Sequence, residues 1–271
     1  MKLTVSTWNI NSVRLRIDQV ARFLKDRRPD ILCLQETKCP NDKLPLKELQ
    51  SFGYPFVVHM GQKGYNGVAI LSRYPFADTS VMDMCDRQDA RHITVTLSPQ
   101  AKAASGVTIH NFYVPAGGDI PDPELNEKFR HKLDFLKEMR AWGAKAKPAS
   151  GPAILVGDLN IAPLEHDVWS HKQLLDVVSH TPVETAALEE LRQEAGWIDA
   201  MRHLRPEPEK IYSWWSYRSP DWAAADKGRR LDHIWLSDGL KDSLRSIDVT
   251  RDTRGWERPS DHAPVTVELE L

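Results

Sequence analysis

The chain has 271 residues, 41% of them apolar and 27% charged, with a formal net charge of −2 at pH 7. That length allows one large domain or two small ones, and the apolar content excludes a disordered chain. The balance of 36 basic against 38 acidic residues excludes a polybasic, histone-like protein but leaves room for a local basic face.

The first strand is expected at residues 3–8, an extended run rich in β-branched side chains. Ile17, Val20, Ala21 and Leu24 follow at helical spacing. Short buried-strand runs occupy 31–34 and 67–71, and 92–97 alternates with period two. Another strand is expected at 107–114. A helix follows at 124–142, through Leu125, Phe129, Leu133, Leu136 and Met139. Strands at 153–156, 231–236 and 264–269 complete the series. Some neighbouring strands leave room for a crossover helix and others do not. This predicts an α/β protein with two packed mixed sheets flanked by helices. The polar loops at 102–106 and 145–152 could each pass for a linker.

The first 14 residues are too polar for the apolar stretch of an export signal. No run approaches the roughly 18 apolar residues of a membrane span. Cys33, Cys39 and Cys85 lack paired spacing, which fits reduced thiols. The expectation is a cytoplasmic protein that does not meet a membrane.

Polar clusters fall at or just past the ends of the apolar runs, where α/β sheets present ligand groups. They hold Asn9 and Asn11, Glu36, Tyr113, Asp158 and Asn160, Asp232, and Asp261 with His262. Carboxylates, amides, a phenol and an imidazole together suit a hard divalent cation, a water to be activated and a phosphate to be held. Taken singly, each cluster reads as a turn, a cap or a solvated side chain.

The order and flanks of the clusters are far more specific. The chain resembles the exonuclease III family of abasic-site endonucleases, within the endonuclease/exonuclease/phosphatase superfamily. The resemblance rests on Trp8 to Ser12 and on Gln35, Glu36, Thr37 and Lys38. It continues through Gly64 to Ser72, Asn111 to Pro115 and Gly157 to Pro163. Tyr212 to Trp215, Arg230 to Asp232 and Pro259 to Val265 complete it. It implies a four-layer α/β sandwich whose motifs meet at one end, so residues 1–271 are expected to form a single domain. It also implies duplex DNA with abasic sites or blocked 3′ ends as substrate, hydrolysed to leave a 3′ hydroxyl in base excision repair. Endonuclease and 3′ to 5′ exonuclease or phosphatase action are both implied, with Mg²⁺, or Mn²⁺ in its place, as cofactor. A monomer is expected.

Carried onto this chain, the resemblance makes Glu36 the metal ligand, with Asn11, Asp261 and Asn9 completing or supporting the shell. Asp158 would orient or deprotonate the attacking water, with Asn160 beside it and Asn9 donating to it. Asp232 would orient His262 toward the phosphate, and Tyr113 would donate its hydroxyl to a phosphate oxygen. A phosphatase or sphingomyelinase of the same superfamily is disfavoured by the tryptophan-rich C-terminal stretch and, in its lipid form, by the absence of an export signal or membrane anchor, and a catalytically silent DNA-binding relative by the presence of Glu36, Asp158 and His262.

DNA contact is expected from basic stretches. Residues 1–30 hold 7 basic and 3 acidic side chains, and 202–230 hold 7 and 4, whereas 158–199 hold 2 and 9. Arg14, Lys63, Arg87, Arg91, Lys227 and Arg229 are the candidate phosphate contacts. Of the 9 tryptophans, Trp214 and Trp215 match the region that probes the lesion. Adjacent residues in a strand face opposite ways, so Trp214 is expected to probe and Trp215 to pack inward. Two positions depart from relatives: Arg229 stands where some place an aromatic, and Asp119 stands in a loop where an amide or a basic residue is usual.

Overall fold

The structure is a computed structural model that describes residues 1–219 and 221–271. Its first sheet contains β1 (Lys2–Asn9), β2 (Ile31–Gln35), β3 (Phe56–Met60), β4 (Val68–Ser72), β13 (Leu244–Val249) and β14 (Val265–Glu270), in the order β13-β14-β1-β2-β4-β3. The second contains β5 (Phe76–Ser80), β6 (His92–Leu97), β7 (Thr108–Tyr113), β8 (Ala153–Asp158), β9 (Ile198–Asp199) and β12 (Asp232–Leu236), in the order β5-β6-β7-β8-β12-β9. A two-stranded ribbon pairs β10 (Trp214–Trp215) with β11 (Gly228–Arg229). Both large sheets are mixed: β1 runs parallel to β2 and β7 to β8, while the other pairs are antiparallel.

The sheets pack face to face over apolar side chains such as Val5, Cys33, Ile70, Ile109, Val156, Ile234 and Val267. The helix Ile17–Arg27 covers the outer face of the first sheet through Val20, Phe23 and Leu24. The helices Glu127–Ala146 and Pro182–Glu194 cover the second through Phe135, Met139, Leu188 and Leu191. The result is the expected four-layer sandwich. A polar tie crosses its middle: Gln35 Nε2 donates to Asn111 Oδ1 at 2.7 Å, and Asn111 Nδ2 donates to the carbonyls of Leu34 and Ala69.

Each expected strand is present with its ends shifted by a residue or two. The long helix starts at Glu127 because the Asn126 side chain accepts the Lys128 N–H as N-cap. β3 and β5 lie at sheet edges and are half-buried or exposed, so they carry no apolar alternation to read.

Parallel pairing brings the C-terminal ends of β1 and β2, and of β7 and β8, to one edge. β12 runs the other way with Asp232 opposite Asp158, and β14 does so with Val265 opposite Thr7. Asn9, Glu36, Tyr113, Asp158, Asp232 and His262 therefore converge.

Candidate active site

Asn9 sits at the centre of the convergence and is fully buried. Its Nδ2 donates to Glu36 Oε1 at 3.0 Å and to Asp158 Oδ2 at 2.8 Å. Its Oδ1 accepts the Asn11 N–H at 3.1 Å. Asn9 thus joins two carboxylates from different sheets, and the oxygen expected to face a cation is engaged by Asn11. Tyr113 donates its hydroxyl to Glu36 Oε1 at 2.8 Å. Burial first, then the charges of Glu36 and Asp158, pushes the phenol well above its ordinary range, so it stays a donor.

Glu36 Oε2 faces Lys38 Nζ at 2.7 Å. Burial works against the Glu36 charge, but Lys38, Asn9 and Tyr113 outweigh it and hold the carboxyl below its usual range. The same Lys38 ammonium donates to Asn11 Oδ1 at 2.6 Å, and Asn11 Nδ2 donates to Asp261 Oδ1 at 3.1 Å. Burial opposes ionisation of Asp261 too, but His262, Trp214 and Asn11 hold it low. Oxygens of Glu36 and Asn11 therefore already share one cation. Hard oxygen donors of this kind fit Mg²⁺, which needs one or two carboxylates and keeps several waters. The Lys38 side chain is partly exposed. Lys38 was not singled out from the sequence, although it belongs to the Glu36 motif. Arg16, which donates to the Asn11 carbonyl and the Tyr217 hydroxyl, gave no sequence signal either.

On the other flank, Asp158, Asp232 and His262 bring ligand-type atoms within 4.8 Å of one another. His262 Nδ1 lies 2.8 Å from Asp232 Oδ2, which also accepts from Ser213 Oγ at 2.6 Å. His262 Nε2 lies 3.6 Å from Asp158 Oδ2, beyond hydrogen-bond reach. Burial opposes the imidazolium, but the charges of Asp232 and Asp158 and the Asp232 hydrogen bond override it, pushing His262 up to about 10. The spacing of these three groups would also suit a cation. Burial drives Asp158 upward, and Asp232 and Glu36 add to that, while His262 and Asn9 pull against it.

The backbone is shaped for this display. At Gly157, φ is +149° and an added Cβ would lie 1.9 Å from the Phe112 carbonyl oxygen, so only glycine lets β8 approach β7 there. Asn160 has φ +54°. Its N–H donates to Asp158 Oδ1 at 3.0 Å, and its Nδ2 donates to Asp158 Oδ2 at 3.2 Å and to the Val114 carbonyl at 2.9 Å. Asn11, Glu36 and Lys38 are also left-handed, with φ of +47°, +49° and +49°. Non-glycine residues in that region are uncommon and cluster at functional sites.

Two grooves open beside these groups. One, of about 830 Å³, is lined by Glu36, Trp214, Lys227, Arg229, Asp261 and His262, and by Asp119. Trp214 is half-buried in its wall and donates Nε1 to Asp261 Oδ2 at 2.9 Å. Trp215 is buried against Tyr212 and Trp222, which removes it from the candidate binding surface, as strand alternation requires. The Arg229 guanidinium lies 5.2 Å from the Trp214 ring centre, and Lys227 Nζ lies 4.6 Å from that of Trp169. The second groove, of about 910 Å³, is lined by Tyr65, Arg87, Arg91 and Tyr113 among others. Arg91 is turned inward: it pairs with Asp89, donates to the Tyr113 carbonyl at 3.2 Å and stacks on the Tyr113 ring. Arg91 therefore supports Tyr113 more than it offers a free cation. Lys63 and Arg14 are exposed but line neither groove.

Comparison with known proteins gives this constellation a context. The model of the Endonuclease/Exonuclease/phosphatase family matches residues 6–262. Exodeoxyribonuclease III of Haemophilus influenzae is 30% identical over 270 residues, spanning 97% of this chain and 98% of that protein. A 3′ phosphatase from Neisseria, solved bound to a product DNA hairpin, superposes with a TM-score of 0.89 at 34% identity, covering 99% of this chain and 100% of that one. An AP endonuclease from Archaeoglobus fulgidus superposes with a TM-score of 0.90 at 32% identity, again over 99% and 100%. The chain belongs to the endonuclease/exonuclease/phosphatase family, on its exonuclease III branch.

Proposed function

We propose that this protein is a Mg²⁺-dependent DNA phosphodiester hydrolase of base excision repair, with residues 1–271 serving as one domain. It cuts 5′ to abasic sites and clears blocked 3′ ends as a 3′ to 5′ exonuclease and phosphatase. The named relatives support the substrate class. The observation that carries the reaction is the Asn9 bridge, which sets a groove-lining carboxylate, Glu36, beside a buried carboxylate, Asp158.

In this reading Glu36, Asn11 and Asp261 hold the metal, with Lys38 keeping their charges paired until it binds. An ion held by these oxygens would supply neutralising charge for the phosphate. Asp158 accepts a proton from the attacking water, whose oxygen bonds to phosphorus as the P–O3′ bond breaks, and the departing O3′ takes up a proton from solvent to become the 3′ hydroxyl. Asn9 and Asn160 fix the Asp158 carboxylate by three donated hydrogen bonds, so its direction is set before substrate arrives. Asp232 orients the His262 imidazolium, whose Nε2 is free to hold a non-bridging phosphate oxygen. Tyr113 holds Glu36 in place. Trp214 and Arg229 form the groove wall that meets the damaged nucleotide.

The test incubates the protein with abasic duplex, intact duplex and a phosphoinositide, each with Mg²⁺ or with chelator. Metal-dependent nicking confined to the abasic strand is expected. Turnover of the phosphoinositide without nicking would overturn the reading.

A further inference from the structure

Lys132 lies on the inner face of the helix Glu127–Ala146, and Glu184 lies in the first turn of the helix Pro182–Glu194. Both side chains are fully buried and form an ion pair. Lys132 Nζ also donates to the Asn160 carbonyl at 2.8 Å and to the Ala116 carbonyl at 3.4 Å. Those carbonyls belong to the turn after Asp158 and to the loop after Tyr113. Its stem presses on the same loop, since a Cβ at Gly117 would lie 2.9 Å from Lys132 Cδ. Glu184 Oε1 accepts from the Ser179 N–H at 2.8 Å, the Thr181 N–H at 3.0 Å and the Thr181 hydroxyl at 2.8 Å. Ser179 Oγ in turn accepts from Arg229 at 2.7 Å.

Replacing a buried ion pair with a well-packed neutral pair is often harmless to stability. A neutral apolar pair could join these two helices. It could not donate to the Asn160 carbonyl, which would then be left buried without a partner. Asn160 is the residue whose N–H and Nδ2 both hold Asp158, so anchoring its carbonyl sets the plane of that turn.

We propose that Lys132, held by Glu184, is a positioning residue for the hydrolysis. It fixes the Asn160 turn and thereby the direction of the Asp158 carboxylate, while Glu184 extends the same brace to the Arg229 side of the groove. The proposal rests on the role of Asp158 given above.

The test measures single-turnover cleavage of abasic duplex with Mg²⁺, duplex affinity in chelator, and Tm. K132M/E184Q removes the charges and the donor together. It should fold, bind duplex within about threefold of wild type, and lose about tenfold or more in cleavage rate. K132Q/E184Q returns an N–H donor without charge and should recover part of that loss. Leu188→Ala, a buried packing change in the helix Pro182–Glu194, should lower Tm and leave the cleavage rate unchanged. A folded K132M/E184Q with cleavage within twofold of wild type would overturn the proposal. So would a rate loss in Leu188→Ala as large as its own. Should K132M/E184Q not fold, K132Q/E184Q decides alone: a lower rate at unchanged affinity supports the brace, and a wild-type rate refutes it. Cleavage by the wild type in the same series separates failure of this proposal from failure of the proposed function.

Discussion

The indole N–H of Trp214 donates to Oδ2 of Asp261 at 2.9 Å, tying the candidate lesion probe to the candidate metal shell. The tie is reinforced by the backbone, because the Trp215 N–H donates to the Asp261 carbonyl and the Ala263 N–H to the Ser213 carbonyl. Under the proposed function, this side chain would link recognition of the damaged nucleotide to the oxygens that hold the metal. Trp214→Phe keeps a flat ring and loses the hydrogen bond, whereas Trp214→Ala loses both. Removing a base-stacking aromatic costs about 1–3 kcal/mol. The alanine variant is therefore expected to lose roughly tenfold or more of its preference for abasic over intact duplex. The phenylalanine variant should keep that preference and need more Mg²⁺. Steady-state cleavage across a Mg²⁺ series with both duplexes checks this.

Glu36→Gln keeps the shape of the side chain and removes its charge. A charge-assisted contact contributes about 1.5–3 kcal/mol. The Mg²⁺ concentration for half-maximal cleavage should rise roughly 10- to 100-fold, while duplex affinity in chelator holds or improves. An unchanged Mg²⁺ requirement would count against Glu36 as ligand.

Asp232 holds His262 through Nδ1 and is itself held by Ser213 Oγ. In Asp232→Asn, an amide that also donates faces the imidazole, so the ring loses both its orienting partner and much of its charge. Cleavage should fall by roughly 100-fold or more, with little change in duplex affinity. Ser213→Ala should show a smaller loss in the same direction. Single-turnover rates beside equilibrium binding separate the two effects.

A pH effect on stability arises in a buried histidine pair on the second sheet. Thr94 Oγ1 bridges His92 Nε2 and His110 Nδ1, each at 2.8 Å, beneath Phe112 and Trp142. Burial lowers His110 to about 4, and burial with His110 nearby lowers His92 as well. The sign follows from which state binds the proton. Above about pH 6.5 both states hold these rings neutral. Below it the unfolded chain takes up protons that the folded chain refuses, so stability falls as pH drops from 6.5 toward 4. The His110 shift alone corresponds to about 3 kcal/mol across that window. Urea midpoints at pH 7 and pH 5 should differ accordingly, and His110→Asn should flatten the dependence.

Much of the site was legible because several members end or follow an apolar run, Glu36 after β2, Tyr113 at the end of β7 and Asp158 at the end of β8, while Asp232 opens β12 and His262 precedes β14. A polar residue there has a place in an α/β fold before its partners are known. Asn9 was legible as a participant, but its bridge between Glu36 and Asp158 depends on how the two sheets meet, which no local pattern encodes. Lys132 carried a signal that passed unread. With Phe129 and Leu136 it falls on one helical stripe, and a charge on a stripe facing the core requires a buried partner. That partner, Glu184, lies 52 positions later in a helix whose sparse apolar residues did not announce it. Strands β3 and β5 carry no readable signal because edge position leaves them half-wet.

The central claim is that Asp158 acts on the attacking water. It is tested most directly by single-turnover cleavage of abasic duplex by Asp158→Asn, set beside its affinity for that duplex in chelator. The account predicts a cleavage rate lower by roughly 100-fold or more with affinity within a few-fold of wild type. Cleavage at the wild-type rate, or a loss of binding equal to the loss of cleavage, would contradict it.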